Sequence, residues 1–455
     1  MDAAPVGAGE PYSVCVVGAG GVGALFAARL ADAGVTVHCI ARGPHLAAIQ
    51  RRGIAVKSFA GDATARHRCT ICLLRRTSHS RRVASPQVRV ASATTSPAEV
   101  GVVDLVIVAL KAWQLQDLDL RPLVRPAPNA VAARQPRHAT AACATTASAC
   151  ARRASHRVCA PSRRLRRAAG CTRQVGPRTL VMPTQNGVDA PERLAALVGA
   201  EHVVGGYTRV TSLVQGAGAV NHTAIHPALQ GTGALPHSGA WVPAELQRCA
   251  TAWGVRARRA RGPAPPAAGP FCGAAVKPRS PAFGPHARPR PQRSTFLRLV
   301  VEEDVLLSMW RKLTVMAAYS AVCATARCPI GPVLAAPDAR AVLLSCMHET
   351  AAVARACGAA MRDADVDACC AVLASLPPGC TPSMQRDILA ARPSELDDQA
   401  GAVVRIGAQR GVPTPVLGTL YALLQPQERA ARGLLVMPAM VEGGGSEPPP
   451  LEYYI

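Results

Sequence analysis

The stretch "VCVVGAGGVGALFAARLADAGVTVHCIAR", residues 14–42, decides the fold. A β-branched run from Val14 to Val17 leads into Gly18-x-Gly20-x-x-Gly23. An Ala/Leu-rich helical stretch then ends at Gly34, and a second apolar strand runs from Val35 to Ile40. A bare GxGxxG is a common turn, but between a strand and a helix near a second strand it is a dinucleotide-binding signature. The first glycine permits a tight turn, the second lets backbone approach a pyrophosphate, and the third lets helix and strand pack closely. Gly18, Gly20, Gly21 and Gly23 are therefore cofactor-binding candidates. The second strand ends "CIARG", with Arg42 where an NAD site places an acid. An arginine there accommodates a 2′-phosphate, which favours NADP(H); the alternative is a solvated loop arginine.

Two further buried strands follow. "VVDLVIVALKAWQLQDL" (102–118) delivers Lys111, Trp113 and Gln114, and "TLVMPTQNGVDAPERLAAL" (179–197) ends its strand at Asn186-Gly187. Residues at the carboxyl ends of parallel strands face the cofactor crevice. Lys111, Gln114 and Asn186 are site candidates by position, although a solvated helical turn or a plain Asn-Gly turn would produce the same pattern.

From about residue 299 the texture becomes helical. "EEDVLLSMWRKLTVMAAYSAVCATARCPIGPVL" spaces Trp310, Leu313, Ala317, Ser320 and Ala321 along one mostly apolar stripe. Lys312 precedes a 14-residue uncharged run that is too short to cross a membrane. A lysine there normally snorkels to water; half-buried beside a nicotinamide, it becomes a proton donor with a tunable pKa. In "CTPSMQRDILAARPSELDDQAGAVVRIGAQRGVPTPVLGTLYALL" (380–424), Thr381 is the expected N-cap with Pro382 at the first helical position, and Pro393 ends that helix. Ser394 with Asp397 resembles a capping box opening the next helix, with Glu395 in its first turn. Ser383 and Glu395 thus sit at helix starts, where such residues also stabilise helices without any ligand.

In order and spacing these pieces resemble the ketopantoate reductases (2-dehydropantoate 2-reductases). The matching stretches are "VVGAGGVGALFAARLADAGVTVHCIARG", "DLVIVALKAWQ", "MPTQNGV", "MWRKL", "CPIGPVL", "PSMQRDILAARPSELD" and "GVPTPV". The resemblance implies NADPH-dependent reduction of 2-dehydropantoate to pantoate, on the route to pantothenate and coenzyme A. It makes Lys312 the general acid and Glu395 its catalytic companion at the substrate hydroxyl. Asn186 falls beside nicotinamide and substrate, Ser383 on the substrate carboxylate, and Arg42 and Lys111 on the cofactor phosphates with Gln114 nearby. Family enzymes often carry asparagines four and eight residues after the lysine. Here those positions are Met316 and Ser320, so Ser320 is a short-reaching substrate candidate and Met316 none.

The composition bounds the rest. The 455 residues carry a net charge of +23, but three stretches, 63–86, 131–178 and 255–295, hold 26 Lys/Arg and no acid. The remaining 342 residues hold 25 Lys/Arg against all 28 acids. The three basic insertions interrupt the family pattern, lack hydrophobic periodicity, and are expected to be disordered. We take them as non-functional sequence, such as translated intron; the alternative is basic loops that bind RNA or acidic partners. Seven of the 17 cysteines lie in them, and His67, Cys69 and Cys72 lack the second pair a zinc site needs. No metal is expected. The opening residues lack an apolar leader, so free thiols and a cytoplasmic setting are the expectation.

The expected architecture is a doubly wound Rossmann domain over 12–298, an all-helical domain over 299–440 and a disordered tail over 441–455. The expected partner is a small 2-keto acid, with no membrane or nucleic acid, in a monomer or homodimer. Reduction of another 2-keto acid and a non-catalytic NADPH-binding role are the alternatives.

Overall fold

The structure, a computed structural model, describes residues 12–59, 87–115, 119–124, 179–224, 228–233, 235, 242–252, 258–259 and 298–438. Almost all of the three basic insertions, with His67, Cys69 and Cys72, and the tail from 441 lie outside the described residues.

The first half is an α/β domain. Strands β1 (Ser13–Val17), β2 (Thr36–Ile40), β3 (Ile54–Ser58), β4 (Gln87–Val88), β5 (Ser92–Thr94), β6 (Leu105–Val108) and β7 (Leu180–Pro183) are followed by β8 (Gly205–Thr208), β9 (Thr211–Gly216) and β10 (Ala219–Ala224). Three more, β11 (Ala228–Gly233), β12 (Arg258–Arg259) and β13 (Arg298–Val301), complete the set. Helices α1 (Gly21–Asp32), α2 (Gly43–Arg52), α3 (Pro97–Val100), α4 (Ala190–Val198) and α5 (Val242–Ala252) lie between them. The main sheet has the order β5-β2-β1-β6-β7 and all its pairings are parallel. The chain winds outward from β1 through β2, then crosses to β6 and β7. The topological switch point, where a doubly wound sheet binds its ligand, therefore lies between β1 and β6.

This is the expected Rossmann-like domain, with two smaller mixed sheets beside it. One has the order β4-β3-β10-β9 and the other β12-β13-β11-β8. Strands β3 and β4 pair antiparallel, whereas β12 and β13 pair parallel. Because β13 belongs to the second small sheet, residues 298–301 stay with the α/β domain and the helical domain starts at Val305.

The sequence around β1 explains its position. Val14, Cys15, Val16 and Val17 are fully buried, as a central parallel strand covered on both faces requires. On one face Val14 and Val16 join Phe26 and Leu30 of α1; on the other Cys15 and Val17 join Leu120, Leu123 and Leu194. Burying each large aliphatic or aromatic side chain contributes about 1.5–3 kcal/mol.

The second half is helical. It comprises α6 (Val305–Ala326), α7 (Ile330–Ala335), α8 (Pro337–Ala356), α9 (Asp363–Ala374), α10 (Ser383–Leu389), α11 (Ala400–Arg410) and α12 (Pro415–Ala431). Its core gathers around α6 through Trp310, Leu313, Ala317, Ala321 and Cys323. Among the described residues no helix is long and apolar enough to cross a membrane.

Two helix boundaries depart from the sequence expectation. Pro382, not Thr381, occupies the N-cap of α10, and Thr381 Oγ1 instead accepts from Arg386 Nη1 at 3.1 Å. That helix ends at Leu389, four residues before Pro393, where Ala391 turns left-handed at φ 49°. Residues 394–399 form a turn rather than a first helical turn, and α11 begins only at Ala400. Asp397 accepts from Tyr421 Oη at 2.8 Å and Gln425 Nε2 at 2.9 Å, so it is held by α12 and does not cap α11.

The glycine turn divides its work as the motif requires. Gly18 adopts φ +94°, and a Cβ on Gly23 would lie 1.9 Å from the Gly18 carbonyl oxygen. A Cβ on Gly20 would meet nothing within 4 Å. Gly23→Ala is expected to destabilise the fold by about 1–3 kcal/mol through overpacking. Gly20→Ala should leave the unfolding midpoint nearly unchanged while weakening dinucleotide binding. Thermal unfolding and a cofactor titration on both variants check this pair; equal losses of stability would refute it.

Candidate active site

A cleft of about 1480 Å³ runs between the two domains, from the glycine turn to the start of α10. Gly20 and Gly21 line one end, while Gly18 and Gly23 lie behind them and shape the turn. The fit to a dinucleotide is favourable. Gly20 faces open space, and Gln185, 5% exposed just beyond β7, lines the cleft with both side-chain amide atoms lacking a partner among the described residues. A buried amide without partners costs free energy, which a ligand with its own donors and acceptors removes. Among the described residues the Ser212 hydroxyl and the Trp113 indole N–H, also on the cleft, are likewise buried without a hydrogen-bond partner.

Lys111 stands just beyond β6, on the far side of the switch point. Its ammonium donates to Asp387 Oδ2 at 2.7 Å and to the Pro393 carbonyl at 3.1 Å, joining the α/β domain to the helical one. Gln114 Oε1 accepts from the Lys111 backbone N–H at 3.0 Å, which closes the short turn between them. Arg42 is exposed at the N-cap of α2 and does not line the cleft.

Four sequence candidates, Asn186, Glu395, Lys312 and Ser383, line the cleft between the domains. Asn186 Nδ2 donates to Glu395 Oε2 at 2.8 Å across the domain boundary. Lys312, two turns into α6, donates to the Thr208 carbonyl at the end of β8 at 2.8 Å, and its Nζ lies 5.4 Å from the centre of the Tyr207 ring. Burial of the ammonium pushes its pKa down to about 7; Glu395 opposes the shift and the Arg209 cation adds to it. Ser383 opens α10 on the cleft wall. Ser320 is fully buried, outside the cleft lining, and its hydroxyl has no partner among the described residues. Met316, one turn after Lys312, does line the cleft.

Several cleft residues carried no signal that sequence spacing could find. Tyr207 and Thr208 end β8 and Arg209 follows it, far from any motif, yet Tyr207 and Thr208 contact Lys312 and the Arg209 charge acts on it. Asp387 lies inside "PSMQRD", but its bond to Lys111 spans 276 residues. Glu428 of α12 is buried behind the site. It accepts from the Ser394 backbone N–H at 3.0 Å and from Arg432 Nε at 2.7 Å, and the Ser394 hydroxyl donates to it as well. Arg432 also reaches the Ser394 carbonyl at 3.2 Å and stacks over Trp113, 5.4 Å from its ring centre. The residue preceding Glu395 is thus clamped from both sides.

Charge is balanced tightly around this turn. Asp398 pairs with Arg193 at 2.8 Å, and burial still raises its pKa to about 6. Asp189 pairs with both Arg193 and Arg405, so further ionic contacts bridge the domains. Among the described residues no group of His, Cys, Asp and Glu is placed to hold a metal ion.

Comparisons with known proteins bear on the family and the fold. The ketopantoate reductase PanE/ApbA model matches residues 14–133 and 165–232, and its C-terminal counterpart matches 304–428. The chain belongs to the ketopantoate reductase family. Within the family, the 2-dehydropantoate 2-reductase of Pyrobaculum aerophilum is 33% identical over 131 residues, 29% of this chain and 47% of that protein. That of Caulobacter vibrioides is 36% identical over 130 residues, 29% of this chain and 44% of its own. The matched stretch thus spans about half the length of these relatives. A PanE/ApbA family ketopantoate reductase structure from Ralstonia eutropha superposes with a TM-score of 0.60 at 22% identity, covering 92% of this chain and 99% of that one. D-mandelate dehydrogenase with NADH and anilino(oxo)acetate gives 0.59 at 16% identity, covering 92% and 99%. Both likenesses concern the fold.

Glu428→Ala removes the clamp: the buried Ser394 N–H loses its acceptor, while Arg432 keeps the Ser394 carbonyl, the Trp113 face and Asp397 at 3.8 Å. It should cost about 1–3 kcal/mol of stability, read by denaturant unfolding. An unchanged midpoint would show that the turn holds itself.

Proposed function

We propose that this family member is an NADPH-dependent reductase that converts a 2-keto acid to its 2-hydroxy acid. Family membership favours 2-dehydropantoate, reduced to pantoate, and hence a place on the route to pantothenate and coenzyme A in a cytoplasmic setting. The observation that carries this reading is Lys312, whose ammonium is withdrawn from water inside a two-domain cleft and opposed by Glu395.

The residues suit the chemistry. The glycine turn and Gln185 would hold the dinucleotide, with Arg42 placed after β2 where a 2′-phosphate calls for a cation. Dihydronicotinamide, when bound, supplies the hydride. Lys312 holds a proton at Nζ, and delivery of that proton to the carbonyl oxygen neutralises the alkoxide as it forms. Asn186 orients Glu395, whose carboxylate keeps the ammonium form of Lys312 accessible and can accept from a substrate hydroxyl.

The sign of the pH dependence follows. Lys312 donates only when protonated, so kcat/KM is expected to fall as pH rises through about 7. The same depressed pKa acts on stability. The unfolded chain holds this proton up to the ordinary value of 10.5, so the lysine's penalty is full below about 7 and fades as pH rises between the two values. Lys312→Ala should reduce NADPH oxidation with 2-dehydropantoate by at least ~100-fold, the lower range for a lost general acid, while leaving NADPH binding intact. A variant of undiminished turnover would sink the assignment.

One observation favours a second substrate. Beyond Lys312 the cleft is walled by Val315, Met316 and Tyr319 of α6, by Ala368 and Val372 of α9, and by Leu376. Such a wall suits a 2-keto acid with a branched, unhydroxylated side chain. Met316→Asn is then expected to shift the kcat/KM ratio of 2-dehydropantoate to 4-methyl-2-oxopentanoate at least ~10-fold toward the hydroxylated acid, about 1.4 kcal/mol. An unmoved ratio would refute Met316 as the discriminator.

A further inference from the structure

A 2-keto acid presents two polar groups on adjacent carbons, a carbonyl to be protonated and a carboxylate to be neutralised. Whatever holds the carboxylate must therefore stand beside Lys312. Ser383 offers a hydroxyl on the cleft wall, but a hydroxyl carries no charge. Burying a carboxylate without a cationic partner is costly.

Arg209 meets this requirement. It follows β8 directly, lines the cleft and is half-buried. Its guanidinium carbon lies 5.6 Å from the centre of the Tyr207 ring, the same ring that Lys312 Nζ approaches to 5.4 Å. The two cations thus share one aromatic platform. The other basic groups on the cleft are engaged elsewhere. Lys111 and Arg392 are paired with Asp387, Arg311 and Arg362 with Asp365, and the exposed Arg386 donates to the carbonyl and hydroxyl of Thr381, just ahead of its own helix. Arg209 forms no ion pair among the described residues. It donates only to the Tyr207 hydroxyl oxygen, at 3.5 Å, while that hydroxyl donates to Glu302 at 3.3 Å. Carboxylate and guanidinium thus meet at the phenol oxygen instead of pairing with each other.

We propose that Arg209 binds the substrate carboxylate, presenting its guanidinium fork to the two carboxylate oxygens while Lys312 faces the adjacent carbonyl. The proposal rests on the 2-keto acid reductase reading and adds to it the residue that makes the site selective for acids. Arginine is suited to this because its planar donors match a carboxylate in bidentate fashion. It also couples binding to catalysis. The groups acting on the Lys312 ammonium are Glu395, which favours its charge, Arg209, which opposes it, and the Tyr207 ring and Thr208 carbonyl, which face it. Arg311, its neighbour on α6, is turned to Asp365. A carboxylate seated on Arg209 cancels the repulsion, so the acid that needs the proton helps Lys312 to hold it.

The test compares the full-length protein with its Arg209→Met and Arg209→Lys variants. Each is assayed with 4-methyl-2-oxopentanoate and 2-dehydropantoate and with the uncharged methyl ester of the former. Calorimetric titration of the corresponding 2-hydroxy acids in the presence of NADP+ supplies a readout independent of turnover. Arg209→Met is expected to lower kcat/KM for the acids about 100-fold, mainly through KM, and to change the ester less than 3-fold, with Arg209→Lys recovering part of the loss. The alkaline limb of its ester pH profile should move upward, because a cation that depresses Lys312 is gone. Equal losses on acid and ester, or no loss on the acids, would overturn the role of Arg209 and leave the reductase reading standing. A wild-type protein that neither turns over nor binds any of these acids would instead overturn the reductase reading, and the proposal with it.

Discussion

The bond from the Lys312 ammonium to the Thr208 carbonyl is the contact around which the cleft is organised. It ties the first long helix of the second domain to the edge strand β8 of the first. It also fixes a half-buried cation inside the cleft, where its desolvation has to be offset by polar partners. The surrounding groups follow from that constraint. Glu395 opposes the charge, Asn186 steadies Glu395, and the Glu428–Arg432 pair steadies the turn that carries it. Lys111 and Asp387 repeat the pattern nearer the glycine turn, as a second polar tie across the same boundary.

The polar ties explain why the two domains need no large apolar seam at the site itself. Each hydrophobic core is nearly complete within its own half, one built on β1 and α1, the other on α6. Between them a small apolar cluster of Tyr207, Leu235, Val305 and Met309 is flanked by ionic contacts such as Arg193 with Asp398 and Arg405 with Asp189. Contacts of this kind are weaker per area and more easily exchanged than apolar packing, which suits a cleft that must admit two ligands.

The fold was legible where local rules coincide with tertiary ones. Val14–Val17 and Gly18–Gly23 specify strand and turn from within a short window, and the spacing of Trp310, Leu313 and Ala317 specifies the face of α6 that is buried. The caps were less legible. Ser394 and Asp397 have capping-box chemistry, but α12 supplies better partners in Glu428, Tyr421 and Gln425, so the local preference yields to a distant one. The immediate neighbours of Lys312 were not legible at all, because Thr208 lies 104 residues upstream and "YTR" has no pattern to mark it. Ser320 illustrates the opposite difficulty. A helical period places it two turns after Lys312, but α6 rotates enough over that distance to turn Met316 to the cleft and Ser320 into the core.

The strand pairings carry a consequence for how the chain could be shortened. Antiparallel neighbours can be joined by a two-residue turn, whereas parallel neighbours need a crossover of about a dozen residues or more. Strands β3 and β4 are antiparallel, so the first basic segment lies where a tight hairpin would close the ladder unaided. Strands β6 and β7 are parallel, but residues 109–115 and 119–124 already run part of the way between them and could contribute to a minimal crossover. Strands β12 and β13 are also parallel, and the third segment both contains β12 and connects it to β13. Of the three segments, the third is the one that the topology itself makes hardest to trim, and the first the easiest.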